Sequence, residues 1–268
     1  MSRFALEIVT RTDAGRVRAL NEDRIVADNQ LGFVILADGM GGQVAGSHAA
    51  EMAVSIVRTE ITRVLEPLRS TSTQNDNCAI AIAVREGSAK ANRAIRDAAQ
   101  SEHRYRDMGT TLIVAVFHDN SVTVAHVGDS RLYRLRDGKL GLLTRDHSVL
   151  QEQLESAMIT REVARFSHNR HLVSRALGMK PEVDLDLRTE EVAVDDLYLV
   201  CSDGLNEMVD DDDIEHVLSS LKCNLALAAS QLVMIARDQG GHDNISVMLA
   251  QVKPEASSWL ARLKRRIR

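Results

Sequence analysis

Gly32-Phe33-Val34-Ile35-Leu36-Ala37-Asp38-Gly39-Met40-Gly41-Gly42 sets an apolar run directly against a carboxylate and a glycine-rich turn. The run has the length and composition of a strand, and the glycines end it. A carboxylate at the edge of an apolar layer costs free energy unless something offsets its desolvation. The same break recurs. Asp129 follows Val122-Thr123-Val124-Ala125-His126-Val127-Gly128, and Asp203 follows Leu197-Tyr198-Leu199-Val200-Cys201-Ser202, with Gly204 next. Asp243 precedes its strand in Gly241-His242-Asp243-Asn244-Ile245-Ser246-Val247. A single Asp-Gly is ordinarily a turn former. Four carboxylates at strand ends together indicate a shared site for hard divalent cations, which favour oxygen ligands.

Outward from that stretch, alternation predicts strands at Phe4–Thr10 and Ile25–Asp28. From Ser47 to Glu66 the period becomes helical, with Ala49, Met52, Ala53, Ile56, Val57, Val64 and Leu65 on one face and Pro67 beyond. Polar Ser70–Asn77 reads as a loop, and helical spacing returns from Cys78 to about Ala99. Thr110–His118, Ser121–Val127, Arg131–Arg136 and Lys139–Leu143 read as antiparallel strands, the last two joined by an Asp137-Gly138 turn. Short helices with polar joints fill Asp146 to Gly178. Strands at Glu182–Glu190 and Asp196–Cys201, helices at Asp211–Leu221 and Leu225–Asp238, and a final strand at Asn244–Val252 complete the pattern. Hairpin neighbours with two inserted helix pairs predict an antiparallel α+β layering. There is no internal repeat, so residues 1–252 are expected to form one domain and 253–268 a tail.

The 268 residues are 44% hydrophobic and 26% charged, enough for a sizeable core and an ordinary polar surface. A net charge of −5 argues against nucleic acid as partner. No stretch approaches the roughly 20 apolar residues of a membrane span, and Met1–Glu7 lacks an apolar signal core. Cys78, Cys201 and Cys223 show no metal-type pairing. A cytoplasmic monomer is expected.

Several phosphate chemistries are excluded by spacing. No Gly-x4-Gly-Lys-Ser/Thr occurs. The residues six after the three cysteines are Val84, Glu207 and Ala229, never the arginine a thiol phosphatase needs. Asp184-Leu185-Asp186 lacks the hydroxyl residue that an aspartyl-nucleophile pair requires, and His168 and His171 lack the intervening Glu of a zinc-protease helix. Asp210–Asp213 opens a helix, where acidic residues suit the positive end of the dipole. In the tail, Trp259, Leu260, Leu263 and Ile267 share a face opposite cations, fitting a solvated tail or a surface-seeking helix.

The divalent-cation reading survives. A bridging carboxylate can hold two ions about 3.5–4 Å apart, the separation used for in-line displacement at phosphorus. Asp38 is the candidate bridge, Gly39 offers a carbonyl unobstructed by a Cβ, and Asp203 and Asp243 complete one ion. In Gly15-Arg16-Val17-Arg18-Ala19-Leu20-Asn21-Glu22-Asp23, Arg18 could clamp a phosphate bidentately and Glu22 and Asp23 could hold metal-bound waters. The alternative for that segment is a solvated turn with charges of both signs.

Arg18-x-x-Asn21-Glu22-Asp23, Ala37-Asp38-Gly39-Met40-Gly41-Gly42, Gly109-Thr110-Thr111, Gly128-Asp129-Ser130-Arg131, Ser202-Asp203-Gly204 and Gly241-x-Asp243-Asn244 occur in this order. The set resembles the type 2C metal-dependent Ser/Thr protein phosphatases, in their compact bacterial branch, over roughly Leu6 to Val252. The resemblance implies a four-layer α-β-β-α sandwich: two central antiparallel sheets flanked by helix pairs, with two Mn²⁺ or Mg²⁺ ions between the sheets. It implies Asp38 as bridging ligand, Gly39 as carbonyl donor, Asp203 and Asp243 on the first ion, and Asp129 on a third, weaker ion. Arg18 matches the phosphate-binding arginine. Residues from Asp146-His147-Ser148 to Gly178 correspond to a flap beside the site, with His147, Ser148 and His168 as flap or substrate-side residues. Met40 stands where some relatives carry a histidine general acid, and Glu155-Ser156-Ala157-Met158 stands where many carry glycine.

The implied activity is hydrolysis of phosphoserine and phosphothreonine in proteins by a water or hydroxide held between the ions, reversing a Ser/Thr kinase. Rivals are an inactive phospho-binding relative, a regulatory phosphatase dedicated to one small signalling protein, and a Ca²⁺-stabilised binding module. Retention of Asp38, Asp203 and Asp243 speaks against the first.

Overall fold

Strand β3, Phe33–Ala37, is buried along its whole length because it has an apolar layer on each side. Phe33, Ile35 and Ala37 pack toward helices, while Val34 and Leu36 face a second sheet. This strand sets the layering, in a computed structural model that describes residues 4–42, 44–68, 76–160, 163 and 172–255.

With β1 at Phe4–Asp13 and β2 at Arg24–Asp28, β3 is followed by a two-residue β4, Gly39–Met40. Helices α1 (Ala45–Leu68) and α2 (Asp76–Ser101) come next, then β5 (Gly109–Thr110), β6 (Leu112–His118), β7 (Ser121–Val127), β8 (Arg131–Arg136) and β9 (Lys139–Leu142). Helix α3 (Val149–Glu155), β10 (Asp186–Glu191), β11 (Leu197–Cys201), α4 (Asp203–Asn206), α5 (Asp211–Leu221), α6 (Leu225–Asp238) and β12 (Ile245–Pro254) complete the described chain.

One sheet runs β1-β12-β11-β8-β9, the other β10-β7-β6-β3-β2, and every pairing is antiparallel. Helices α1 and α2 cover the β3-containing sheet through Ala49, Ala53, Val57, Ile61, Ile80, Val84 and Ile95. Helices α5 and α6 cover the other through Ile214, Leu218, Leu225 and Leu232. Between the sheets lie Val34, Leu36, Ile113, Phe117, Tyr198, Val200 and Met248, with Phe117 and Tyr198 edge to face at 5.1 Å between ring centroids. The four-layer sandwich expected from the resemblance is the observed architecture.

Some boundaries move. The strand expected from Thr110 is interrupted at Thr111, because Gly109–Thr110 pairs instead with Gly39–Met40. Helix α1 includes Pro67 in its last turn, just past the expected end at Glu66, and gives up one i→i−4 bond there as it terminates at Leu68. Helix α2 starts at Asp76, inside the expected loop. Strand β10 begins at Asp186, four residues later than expected. Strand β12 runs to Pro254, opposite Phe4, so pairing continues into the expected tail. Residues 256–268, with the Trp259–Arg268 face, lie outside the described residues, as do His168 and His171. Among the described residues no helix is long and apolar enough to cross a membrane.

Candidate functional site

The register brings the motif residues to one edge of the sandwich. Asp38 leaves β3 and Asp129 lies just beyond the paired end of β7. In the opposite sheet Cys201 pairs with Val247, so Asp203 after β11 and Asp243 before β12 share that edge. The segment from Ala14 to Asp23 crosses from β1 in one sheet to β2 in the other along the same edge. A cleft of about 960 Å³ opens there, lined by Arg18, Glu22, Asp38, Gly39, Asp129, Asp203, Glu207 and Asp243 among others.

The Asp38 backbone is clamped from across the sheet. Its N–H donates to Thr111 Oγ1 at 3.0 Å, and its carbonyl accepts from Thr111 N–H at 2.9 Å and Thr110 Oγ1 at 2.8 Å. This is what Gly109-Thr110-Thr111 does. Gly39 has no Cβ for a steric reason: one would stand 2.1 Å from the Gly46 carbonyl oxygen, where α1 crosses the strand end. Gly204 answers the same constraint beside Asp203, where a Cβ would meet the Asn244 carbonyl oxygen at 2.1 Å.

Asn244 ties the crossing segment to the opposite sheet. Its Oδ1 accepts from Glu22 N–H at 2.8 Å, and its Nδ2 donates to the carbonyls of Leu20 at 2.9 Å and Ala14 at 3.1 Å. Arg16 N–H adds a bond to the Gly241 carbonyl at 2.7 Å. Arg18 then reaches over the cleft, its Nη2 donating to Asp243 Oδ2 at 2.6 Å. That guanidinium is half-exposed and held above its ordinary pKa, chiefly by this hydrogen bond.

The carboxylates are placed against their own interest. Burial, and then repulsion from Asp23, Asp203, Asp129 and Asp243, raises Asp38 well above the usual carboxylate range. Asp203 is likewise raised by burial and by Asp129 and Asp243. Burial pushes Asp129 up to about 7, with Asp146 and Glu207 adding to it. The Asp203 Oδ1 is buried with no hydrogen-bond partner among the described residues. Converging carboxyls with an unpartnered buried oxygen and one arginine opposite are a donor set for hard divalent cations, which supply the missing positive charge. The residues fit Mn²⁺ or Mg²⁺.

Two expectations about the crossing segment divide. Glu22 lines the cleft, and its Oε1 accepts from Ser47 N–H at 3.3 Å. Asp23 is 3% exposed and lies beneath the cleft floor. Its Oδ2 accepts from Ser246 Oγ at 2.6 Å and Ser202 Oγ at 2.8 Å, and burial raises its pKa to about 6. Its other oxygen is buried and has no hydrogen-bond partner among the described residues.

His147 and Ser148 do not line the cleft. Ser148 caps α3, accepting from Gln151 N–H at 3.2 Å. His147 is buried beside His126, and its Nδ1 accepts from Gly128 N–H at 3.2 Å. Nε2 therefore keeps the ring proton, 3.3 Å from Asp186 Oδ2. His126 Nε2 donates to the Gly128 carbonyl at 2.9 Å, so the two rings hold Gly128, the residue before Asp129, from both of its backbone groups. From the flap segment it is Leu172 and Val173 that reach the cleft. Glu207 was not anticipated; it stands four residues after Asp203, one helical turn on, the spacing that signals a shared face.

A family model described as protein phosphatase 2C matches residues 14–232. The serine/threonine phosphatase stp of Listeria welshimeri is 37% identical over 245 residues, covering 90% of this chain and 94% of that protein. The crystal structure of the Mycobacterium tuberculosis serine/threonine phosphatase PstP is similar with a TM-score of 0.80 at 35% identity, covering 93% of this chain and 99% of that one. A structure of the PstP catalytic domain in complex with 2 manganese ions gives a TM-score of 0.77 at 35% identity, with the same coverage. The chain belongs to the protein phosphatase 2C family.

Proposed function

We propose that this chain is a metal-dependent protein-serine/threonine phosphatase that hydrolyses phosphoserine and phosphothreonine and opposes a Ser/Thr protein kinase. The observation that carries the reading is the convergence of Asp38, Asp129, Asp203 and Asp243 with Arg18 at a single sandwich edge. Asp38 would bridge two Mn²⁺ or Mg²⁺ ions with the Gly39 carbonyl beside it, Asp203 and Asp243 would complete the first ion, and Glu22 would act through water. Asp129 would serve a third ion, with Glu207 next to it in the cleft. Asp23, whose second oxygen is buried and unpartnered among the described residues, would likewise act through water, from beneath the floor. When bound, such ions act as Lewis acids and lower the pKa of water to make a nucleophile.

The chain's own groups do the rest. Arg18, half-exposed on the segment that Asn244 anchors, turns its guanidinium from Asp243 to the phosphoryl oxygens and neutralises the charge that develops on them. Met40 offers no proton to the leaving alkoxide, so the leaving group is protonated from water. Cys78 and Cys223 are exposed and unpaired, which fits a reducing cytoplasm. A monomeric cytoplasmic enzyme belongs to the same reading; cell fractionation and size-exclusion chromatography test it.

The deciding assay is release of phosphate from a phosphothreonine peptide with Mn²⁺, with Mg²⁺ and after chelation. Activity with either ion, lost with EDTA and lost by about 10²-fold or more in Asp38→Asn, is expected. Turnover that survives chelation overturns the mechanism.

A further inference from the structure

The carboxylates occupy the floor of the cleft, but its mouth has another chemistry. Val17 and Leu20 on the crossing segment are 65% and 52% exposed, and Leu172 on the flap side is 51% exposed. Met40, Val173 and Met208, each half-buried, fill the gaps between them along the wall. Single exposed apolar residues on a soluble surface need no explanation. These come from four separate segments and meet around one opening, which marks an interaction site.

The charges lining the same cleft limit what can sit there. Asp38, Asp129, Asp203, Asp243, Glu22 and Glu207 are its acids, and Arg18 and His242 are the basic side chains among its lining residues. Arg18 is engaged with Asp243 and, in the proposed reaction, with the phosphoryl group. Among the described residues no lysine lines the mouth to receive an acidic side chain beside the phosphoresidue.

We propose that this rim is the docking surface for the substrate chain, selecting phosphoproteins with apolar side chains next to the phosphoserine or phosphothreonine and rejecting acidic flanks. The inference rests on the phosphatase reading. Continuity favours this occupant: the phosphoryl group reaches the floor only through the mouth, so the residues on either side of it lie on Val17, Leu20 and Leu172. Partial burial of one or two aliphatic side chains there is worth on the order of 10-fold in KM.

The test compares kcat/KM for three probes with Mn²⁺. One is N-acetyl-phosphothreonine N-methylamide, one a phosphothreonine peptide flanked by leucines, and one the same peptide flanked by glutamates. The leucine peptide is expected to exceed the glutamate peptide by about 10-fold or more, mainly through KM. In Leu172→Lys and in Val17→Lys, which remove the apolar contact and attract an acidic flank, that ratio should collapse toward one. Because the ratio is taken within each protein, a general loss of activity cancels. Equal use of both peptides by the wild type, or an unchanged ratio in both variants, overturns the proposal. So does conversion of a wild-type dimer to a monomer by Leu172→Lys, which would assign the rim to a second copy of the chain. Failure of the phosphatase reading looks different: the flankless amide would not be hydrolysed at all.

Discussion

Replacing His126 with glutamine should remove a specific part of the pH dependence of stability. His126 sits on β7 at 2% exposure, its Nε2 donating to the Gly128 carbonyl. Burial, followed by the neighbouring His147, lowers its pKa to about 4, against the opposing hydrogen bond to Gly128 and the charges of Asp186 and Asp146. In the unfolded chain the imidazole titrates near 6.5. Between those values the unfolded state binds more protons than the folded one, so stability falls as pH falls through that window. Going from pH 7.5 to pH 5, a pKa of about 4 against 6.5 costs about 2 kcal/mol, and the full shift approaches about 3 kcal/mol below pH 4. Urea unfolding with EDTA at both pH values reads this directly, with metal linkage excluded. The wild type should lose about 2 kcal/mol more than His126→Gln over that interval. His147, also lowered by burial, stays in both proteins and contributes to both slopes. Equal losses in the two proteins, or a larger loss in the variant, would refute the claim that His126 is buried neutral.

Chelation should lower the melting temperature at neutral pH, because burial and mutual repulsion raise the pKa values of Asp38, Asp129 and Asp203; in Asp203→Asn the EDTA-induced drop should shrink, and calorimetry that shows no drop in the wild type contradicts it. Asn244→Ala removes the bonds to Glu22 N–H and to the Leu20 and Ala14 carbonyls, so a loss of about 2–4 kcal/mol by urea titration and a raised KM for phosphopeptide are expected. Gly204→Ala places a Cβ 2.1 Å from the Asn244 carbonyl oxygen, which must displace the strand end beside Asp203; a cost of about 2 kcal/mol or more and a fall in kcat are expected, and wild-type values for both would show that the approach is not tight.

The layering was legible because the unbroken apolar run Phe33–Ala37 and the two inserted helix pairs are local patterns. The candidate metal ligands were legible because each ends or begins an apolar run beside a glycine or an asparagine. What stayed hidden depends on groups distant in sequence. The hydroxyl that clamps the Asp38 carbonyl belongs to Thr110, 72 positions away, and the anchor of Glu22 is 222 positions away. No window of sequence contains both partners of such a bond. Asp23 illustrates the consequence: next to Glu22 it read as a second holder of metal-bound water, and only the fold shows that, just before β2, it is buried on Ser202 and Ser246. His147 sat in a segment read as a flap, and its burial against Gly128 makes it part of the floor's support instead. Glu207 could have been found, since four residues separate it from Asp203, but α4 is too short for any periodicity to announce it.

The division of the acids between the two sheets explains why the site needs a rigid interior. Asp38 and Asp129 extend from one sheet, Asp203 and Asp243 from the other, and among the described residues no ladder hydrogen bond joins the sheets. Their separation is set by the side chains packed between them, among which Val34, Leu36, Tyr198, Val200 and Met248 lie on the strands that carry Asp38, Asp203 and Asp243. Close packing resists compression, so this layer acts as a spacer of fixed thickness. Oxygen ligands to Mn²⁺ or Mg²⁺ tolerate only a few tenths of an ångström before coordination weakens. A methylene added or removed between the sheets is therefore felt at the cation site as well as in stability. The bonds that do span the edge, from Asn244 to Glu22 and from Ser202 and Ser246 to Asp23, pin the spacing where the ligands sit. The buried acid beneath the floor and the apolar layer behind it thus serve one purpose: they hold mutually repelling carboxylates at a distance that a pair of cations can use.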